Sequence, residues 1–406
     1  KLIINTSLNN SMGVKGLRTV IQAKGQKSIK KKEYKEYRGT IQALDTPIII
    51  YRFCIAIINT DNFKMNTGEI TGHLFACFFK SLAMLRYGIK PFWVFDGAPP
   101  ILKQQTLNER RKIKENALSK LNDGHLNADE KHKLAKKIFT VTSKQISEIK
   151  QLLKLLGLPY AEAPGEAEAQ CAALDYAKIS DGVVTEDWDA ILFGCTKMLK
   201  DFSNKSFVTE IDVPELLKSL EMTREQLIDL CSILGNDYCH GITGLKPVDA
   251  YEKFKKCYFD MDTFLKFLKT ENETNNNHNN HKYKIPEKFE EQWLTARDYY
   301  LNAPVIDPQV IKVVWNEPNY TELYKYLVEV KKFNGKIIMA KILELMLMYT
   351  KYCENNNELV TLSRIKKELS PSETKKFINV PTIQDIDITT LPDYFLKLTK
   401  SILVTH

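Results

Sequence analysis

The chain has 406 residues, which at roughly 150 per domain suits two or three domains, or one large domain with appendages. With 44% hydrophobic and 27% charged residues its composition is ordinarily globular, which excludes global disorder and a fibrous fold. No run of 18 apolar residues is present to span a membrane, residues 1–11 lack the apolar core of a secretory signal, and eight scattered cysteines without a CxxC pair argue for reduced thiols inside a cell. The formal charge of +8 is unevenly spread: net +7 from Lys15 to Arg38, net +6 from Lys103 to Lys150, and about −5 over the remainder. Basic parts of this kind can hold a polyanion while an acidic part holds cations, although Lys-rich stretches also form plain solvated faces.

In chain order, Gly39 to Leu44 reads as a strand ending at Asp45, followed by a helix from Ile48 to Ile58 and a polar loop over 59–68. A helix over His73–Tyr87 precedes a strand over Lys90–Phe95 that ends at Asp96-Gly97. The basic segment 103–150 has helical spacing broken by Gly124, and a helix running to Leu156 is stopped by Gly157-Leu158-Pro159. Pro164 opens a helix through Ala177, and Asp181–Thr185 is a short strand ending in Glu186-Asp187-Trp188-Asp189. The alternation predicts an α/β fold, with a mostly parallel central sheet flanked by helices. Beyond residue 220 the pattern is helical. Thr223-Arg224-Glu225-Gln226 has capping-box form, and a helix restarts near Pro247. Residues 271–281 are Asn-rich and read as a solvated loop. No internal repeat is visible. These breaks divide the chain into an extension (1–11), an N-terminal region (12–102), a basic helical arch (103–150), an internal region (151–222), a helical part with the Asn-rich loop (223–335) and a tail (336–406).

The acids carry the functional signal. Asp45, Asp96, Asp187 and Asp189 sit at strand ends, Glu166 and Glu168 at a helix start, and Asp237 in a Gly-bounded turn. One Asp at a strand end is ordinary turn chemistry. Seven acids meeting at the carboxyl edge of a parallel sheet would repel one another unless cations bind. A site of oxygen ligands without His or Cys selects Mg²⁺ or Mn²⁺, and two such ions can clamp both oxygens of an in-line phosphodiester displacement. Lys103, Arg110 and Lys114 are spaced i, i+7, i+11, which places them on one helix face close after Asp96. Cations there could meet charge developing on a phosphate.

Five motifs then stand together: Met12-Gly13-Val14-Lys15-Gly16-Leu17, Val94-Phe95-Asp96-Gly97-Ala98-Pro99-Pro100, Ala163-Pro164-Gly165-Glu166-Ala167-Glu168-Ala169, Thr185-Glu186-Asp187-Trp188-Asp189 and Leu234-Gly235-Asn236-Asp237-Tyr238-Cys239. Together they resemble the flap endonuclease family, the 5′ structure-specific nucleases of DNA replication and repair, from Met12 to about residue 335. The seventy-residue separation of Asp96 and Glu166 leaves room for a short arch, as in flap endonucleases proper.

The resemblance implies a metal-dependent nuclease acting on 5′ flaps, nicks or gaps in branched duplex DNA, inside the cell in a nucleus or viral replication compartment. It implies two Mg²⁺ ions, replaceable by Mn²⁺, on Asp45, Asp96, Glu166, Glu168, Asp187, Asp189 and Asp237. Lys103 and Arg110 match its catalytic cations, Tyr51 its base-stacking tyrosine and Thr71 its 3′-flap pocket. Gly244 to Ala250 matches a helix-two-turn-helix that binds duplex phosphate with a potassium ion. Here Lys246 replaces a glycine and Asp249 a cation, so duplex gripping is expected to be rearranged. The tail to His406 carries no Gln-x-x-Leu-x-x-Phe-Phe sliding-clamp box. A related 5′–3′ exonuclease and a catalytically silent nucleic-acid scaffold are the alternatives.

Overall fold

The computed structural model describes residues 14–57, 71–122, 126–202, 207–274 and 282–354. The expected extension 1–11, the loop 59–68, Gly124 and the tail beyond 354 lie outside the described residues. The elements are α1 (Leu17–Lys24), β1 (Ile29–Glu33), β2 (Ile41–Asp45), α2 (Thr46–Ile57), α3 (Gly72–Arg86), β3 (Lys90–Phe95), α4 (Gln104–Asn122), α5 (Ala128–Ile138), α6 (Ser143–Leu155) and β4 (Tyr160–Glu162). They continue with α7 (Ala167–Tyr176), β5 (Val183–Val184), α8 (Asp189–Leu192), β6 (Lys197–Lys200), β7 (Phe207–Asp212), α9 (Val213–Leu220) and α10 (Arg224–Leu234). Last come α11 (Pro247–Lys256), α12 (Met261–Thr274), α13 (Phe289–Asn302), α14 (Tyr320–Tyr324) and α15 (Gly335–Glu354).

One sheet of seven strands runs β1-β7-β6-β5-β2-β3-β4. The pairs β6–β5, β5–β2, β2–β3 and β3–β4 are parallel, while β1–β7 and β7–β6 are antiparallel. Side chains of a strand alternate between its two faces, and this alternation divides the core. Ala43, Phe92, Val94, Val183 and Met198 pack on one side with α1, α7, α10 and α13. Leu44, Trp93, Phe95, Val184 and Leu199 pack on the other with α2, α3, α6 and α15. Central strands covered on both faces read as continuous apolar runs, as β3 does.

Three differences from the sequence expectation have physical causes. The basic stretch 15–38 contains a strand, β1. Its lysines lie on the outer edge, where Lys30 pairs with Asp212 (2.8 Å) and Lys32 with Glu210 (2.8 Å) on β7, and charge on an edge strand discourages pairing with other chains. The helix expected from Pro164 begins only at Ala167, because Pro164 and Gly165 form a turn against β3 and leave Glu166 as the N-cap. Helix α12 extends through Thr274, so the first four residues of the Asn-rich stretch 271–281 are helical, and the rest lie outside the described residues. Two expectations hold. Thr223 and Gln226 form the reciprocal capping box of α10, and Pro247 opens α11.

The β3–β4 pairing continues beyond the strands. The amide of Ala163 donates to the Phe95 carbonyl (2.8 Å), Gly97 to Gly165 (2.7 Å) and Ala98 to Pro164 (3.2 Å). This zipper sets Asp96 beside Glu166. A Cβ on Gly97 would lie 2.1 Å from the Ala163 carbonyl oxygen and 2.6 Å from that of Pro164, both fixed backbone atoms. Gly97→Ala should therefore cost about 1–3 kcal/mol or more, the usual range for overpacking. Urea unfolding would check this; a midpoint equal to the wild type would show that the two loops part freely.

Candidate active site

The carboxyl edge of the parallel strands gathers the acids. Asp45 closes β2, Asp96 follows β3, Asp187 and Asp189 follow β5, Glu166 caps α7 with Glu168 in its first turn, and Asp237 lies in the turn after α10. Protein donors fix several of them. Thr185 Oγ1 donates to Asp45 Oδ2 (2.6 Å), and the Ala167 amide donates to Asp96 Oδ1 (2.8 Å). The Asp189 amide donates to Asp187 Oδ1 (3.1 Å). Asp189 itself accepts from the Val14 amide (3.2 Å) and the Tyr300 hydroxyl (2.9 Å). Tyr238 donates its hydroxyl proton to Glu166 Oε2.

The turn Ile101–Lys103 and the first turns of α4, the foot of the expected arch, close over this cluster. Lys103 Nζ bridges Glu166 and Asp237, lying 3.1 Å from Asp237 Oδ2. Arg110 grips both oxygens of Asp237 (3.0 and 2.9 Å), and Thr106 Oγ1 donates to the Asp237 carbonyl (2.7 Å). Lys103, Thr106 and Arg110 are spaced i, i+3, i+7, one face of a helix. Lys103 lies in the short 3₁₀ turn Ile101–Lys103 that feeds α4. Lys114 does not join them: its Nζ donates to Thr140 Oγ1 (3.1 Å), between α5 and α6.

The electrostatics carry the signature of crowded acids. Burial, then the charge of Asp96, pushes Asp45 up to about 8. Burial and neighbouring carboxylates hold Glu168 and Asp189 well above the ordinary carboxylate range. Burial alone would lower Lys103, but Glu166, Glu168 and Asp237 reverse the effect and raise it. The donors are all oxygen, which fits Mg²⁺ or Mn²⁺. Among the described residues no three acids converge closely enough to hold an ion in this arrangement, and Lys103 stands between Glu166 and Asp237.

Two family models match, the XPG N-terminal domain over residues 12–117 and the XPG I-region over 157–237. Flap endonuclease 1 of Candida glabrata is 34% identical over 337 residues, covering 82% of this chain and 86% of the relative. The chain belongs to the flap endonuclease family. Flap endonuclease 1 of Homo sapiens is 33% identical, with 82% of this chain and 86% of that one covered. Among solved structures, the catalytic core of Rad2 in complex with DNA substrate superposes with a TM-score of 0.63 at 26% identity, covering 81% of this chain and 99% of that one. Flap endonuclease-1 from Methanococcus jannaschii gives 0.60 at 27%, covering 80% and 98%.

The remaining expected residues of this flap endonuclease lie apart from the acids. Tyr51, on α2, is half-buried with its ring 6.0 Å from that of Phe139, at the end of α5. Thr71 is buried at the N-terminus of α3. Gly244 and Lys246 lie in the turn before α11. Gly244 has φ +94°, and a Cβ there would lie 2.1 Å from the Lys282 carbonyl oxygen, so this position admits only glycine. Sequence reasoning missed Thr106, Tyr238 and Tyr300. It also missed the cations around Glu186, where Arg52 lies at 2.5 Å and Lys200 at 3.4 Å, with Lys80 pushed down to about 7 by burial.

The raised acids make stability depend on pH. A carboxyl whose folded pKa exceeds its unfolded value stabilises the fold fully below the unfolded pKa, and that contribution is lost as pH rises through the folded one. For Asp45 the window runs from about 4 to about 8. In EDTA the melting temperature should fall between pH 6 and 8.5. Mg²⁺ should restore it, and more strongly at pH 8.5, because an ion binding only the folded state at 100 times its Kd adds about 2.7 kcal/mol. A melting temperature that rises with pH in EDTA would contradict the crowding.

Proposed function

We infer that this protein is a structure-specific 5′ nuclease that hydrolyses phosphodiester bonds at 5′ flaps, nicks or gaps in DNA during replication and repair. The observation that carries the reading is the meeting of seven carboxyl groups with Lys103 and Arg110 beneath a basic helical arch. Asp45, Asp96, Glu166, Glu168, Asp187, Asp189 and Asp237 are proposed to hold two Mg²⁺ ions, with Mn²⁺ able to replace them. When bound, such ions clamp the attacking and leaving oxygens of an in-line displacement.

The chain's own residues do the rest. Lys103 and Arg110 turn from the carboxylates to the scissile phosphate and neutralise charge that grows there in the transition state. Arg110 suits this role because its planar fork can hold phosphate oxygens in pairs, whereas on Asp237 a single terminal nitrogen reaches both carboxylate oxygens. Lys114 and the other arch cations contact the single-stranded 5′ end, Tyr51 stacks on a base near the cut, and Thr71 contributes to a 3′-flap pocket. At the turn from Gly244 to Ala250, Lys246 supplies positive charge to the duplex while Asp249 opposes it. A potassium ion there contributes less than backbone capture alone would require. The protein works inside the cell where DNA is copied, in a nucleus or viral replication compartment.

A labelled panel of 5′ flap, double flap, nick, single strand and RNA flap, incubated with Mg²⁺, tests the reading. Flap DNA should be cut best, and Asp187→Ala or Asp96→Ala should abolish cleavage while DNA is still bound. Preference for the nick would favour an exonuclease, and no cleavage of any substrate would favour a binding scaffold. Lys103→Ala and Arg110→Ala should lower the single-turnover rate by roughly 10²–10³, with much smaller effects on affinity. An unchanged rate constant with weaker binding would reduce both to phosphate-positioning roles.

A further inference from the structure

The acid cluster rests against an aromatic group that no sequence motif announced. Tyr300, near the C-terminal end of α13, is 1% exposed and donates its hydroxyl to Asp189 Oδ2 at 2.9 Å. Its ring packs against those of Phe193 (5.0 Å) and Tyr238 (5.1 Å). Its backbone is fixed as well. Arg224 donates through one guanidinium nitrogen to the Tyr300 carbonyl (2.7 Å) and through Nε to the Leu192 carbonyl (2.8 Å). Leu192 ends α8, the short helix that begins with Asp189. The path from Asp189 along α8 to Leu192, through Arg224 to Tyr300 and back by the phenol to Asp189 is therefore a closed ring of covalent and hydrogen bonds. A phenol held at both its ring and its backbone has a fixed donor position.

We propose that Tyr300 is a positioning residue for metal binding: its hydroxyl, with the Val14 amide on the other oxygen, holds the Asp189 carboxylate in the orientation that presents its remaining lone pairs to a divalent cation. The proposal rests on the metal-dependent reading of the site. A carboxylate has about four acceptor directions, so two protein donors leave two directions for an ion. Asp189 lies beside Asp187 and Asp237, whose charges oppose its own. Without a donor fixed on Oδ2 this carboxylate would be free to turn away from the site. The phenol carries one O–H donor, and Asp189 Oδ2 is the acceptor in line with it. Outer partners of this kind typically change metal affinity by about 10- to 100-fold when removed.

The test is Tyr300→Phe, which removes one oxygen and keeps the ring in its packing. Mn²⁺ alone is titrated into the full chain, and free Mn²⁺ is read by electron paramagnetic resonance. The substitution should weaken the tightest Mn²⁺ site by about 10- to 100-fold. Affinity for flap DNA in EDTA should not change. Tyr251→Phe is the matched control, because Tyr251 also buries a phenol that donates to a carbonyl, that of Leu220 at 3.0 Å, away from the acids. The control should lose comparable thermal stability and bind Mn²⁺ like the wild type. Mn²⁺ affinity within about twofold of wild type in Tyr300→Phe would overturn the proposal, and so would an equal loss in Tyr251→Phe. Failure of the wild type itself to bind Mn²⁺ would overturn the metal reading beneath it.

Discussion

Seven carboxyl groups gathered at one sheet edge repel one another, and much of the surrounding structure acts to hold them there. Two unit charges 4 Å apart interact by about 4 kcal/mol at an effective dielectric of 20, so several such contacts rival the net stability of a whole domain. The protein meets this load at three levels. A parallel sheet covered on both faces makes the strand ends rigid. Backbone amides, Thr185, Tyr238 and Tyr300 supply donors to individual oxygens. Lys103 supplies a full charge between Glu166 and Asp237. The raised carboxyl pKa values express burial first, and then the repulsion these devices leave uncompensated.

The same load explains why the arch is anchored where it is. Lys103, Thr106 and Arg110 tie the 3₁₀ turn and the first turns of α4 to Asp237, while Lys114, one turn beyond Arg110, faces Thr140 instead. The arch is thus fixed at its foot by contacts to a candidate metal ligand. A phosphate and cations entering the site would compete for the groups that hold the arch down.

The parts of this arrangement that were legible in the sequence share a local cause. Each strand-end acid follows an apolar run, so β2, β3 and β5 announce both an element and its functional terminus. Thr223 with Gln226 and the proline of α11 are local signals of the same kind. What stayed hidden was either disguised or distant. β1 reads as a lysine-rich surface because its stabilising partners, Glu210 and Asp212, lie nearly two hundred residues away on β7. Tyr300 lies 111 residues from the aspartate it holds, and an aromatic residue on an amphipathic helix reads as core, which its ring is. Only its hydroxyl carries the second role, and no spacing rule encodes that.

The three residues Val14-Lys15-Gly16 link the acid cluster to the start of α11. The Val14 amide binds Asp189, and the Lys15 amide binds the Gly235 carbonyl (3.0 Å), two residues before Asp237. Gly16, at φ +74°, turns the chain into α1 so closely that a Cβ there would lie 2.5 Å from the Pro247 ring, at the start of α11. A left-handed glycine is needed at this point because any side chain would strike Pro247, the first residue of α11. The segment therefore touches two candidate metal ligands, directly or within two residues, and the element expected to grip duplex phosphate. Tight packing transmits displacement instead of absorbing it. A shift of α11 would therefore be felt at Asp189 and Asp237, and a few residues of backbone hold α11 and the acid cluster in one register.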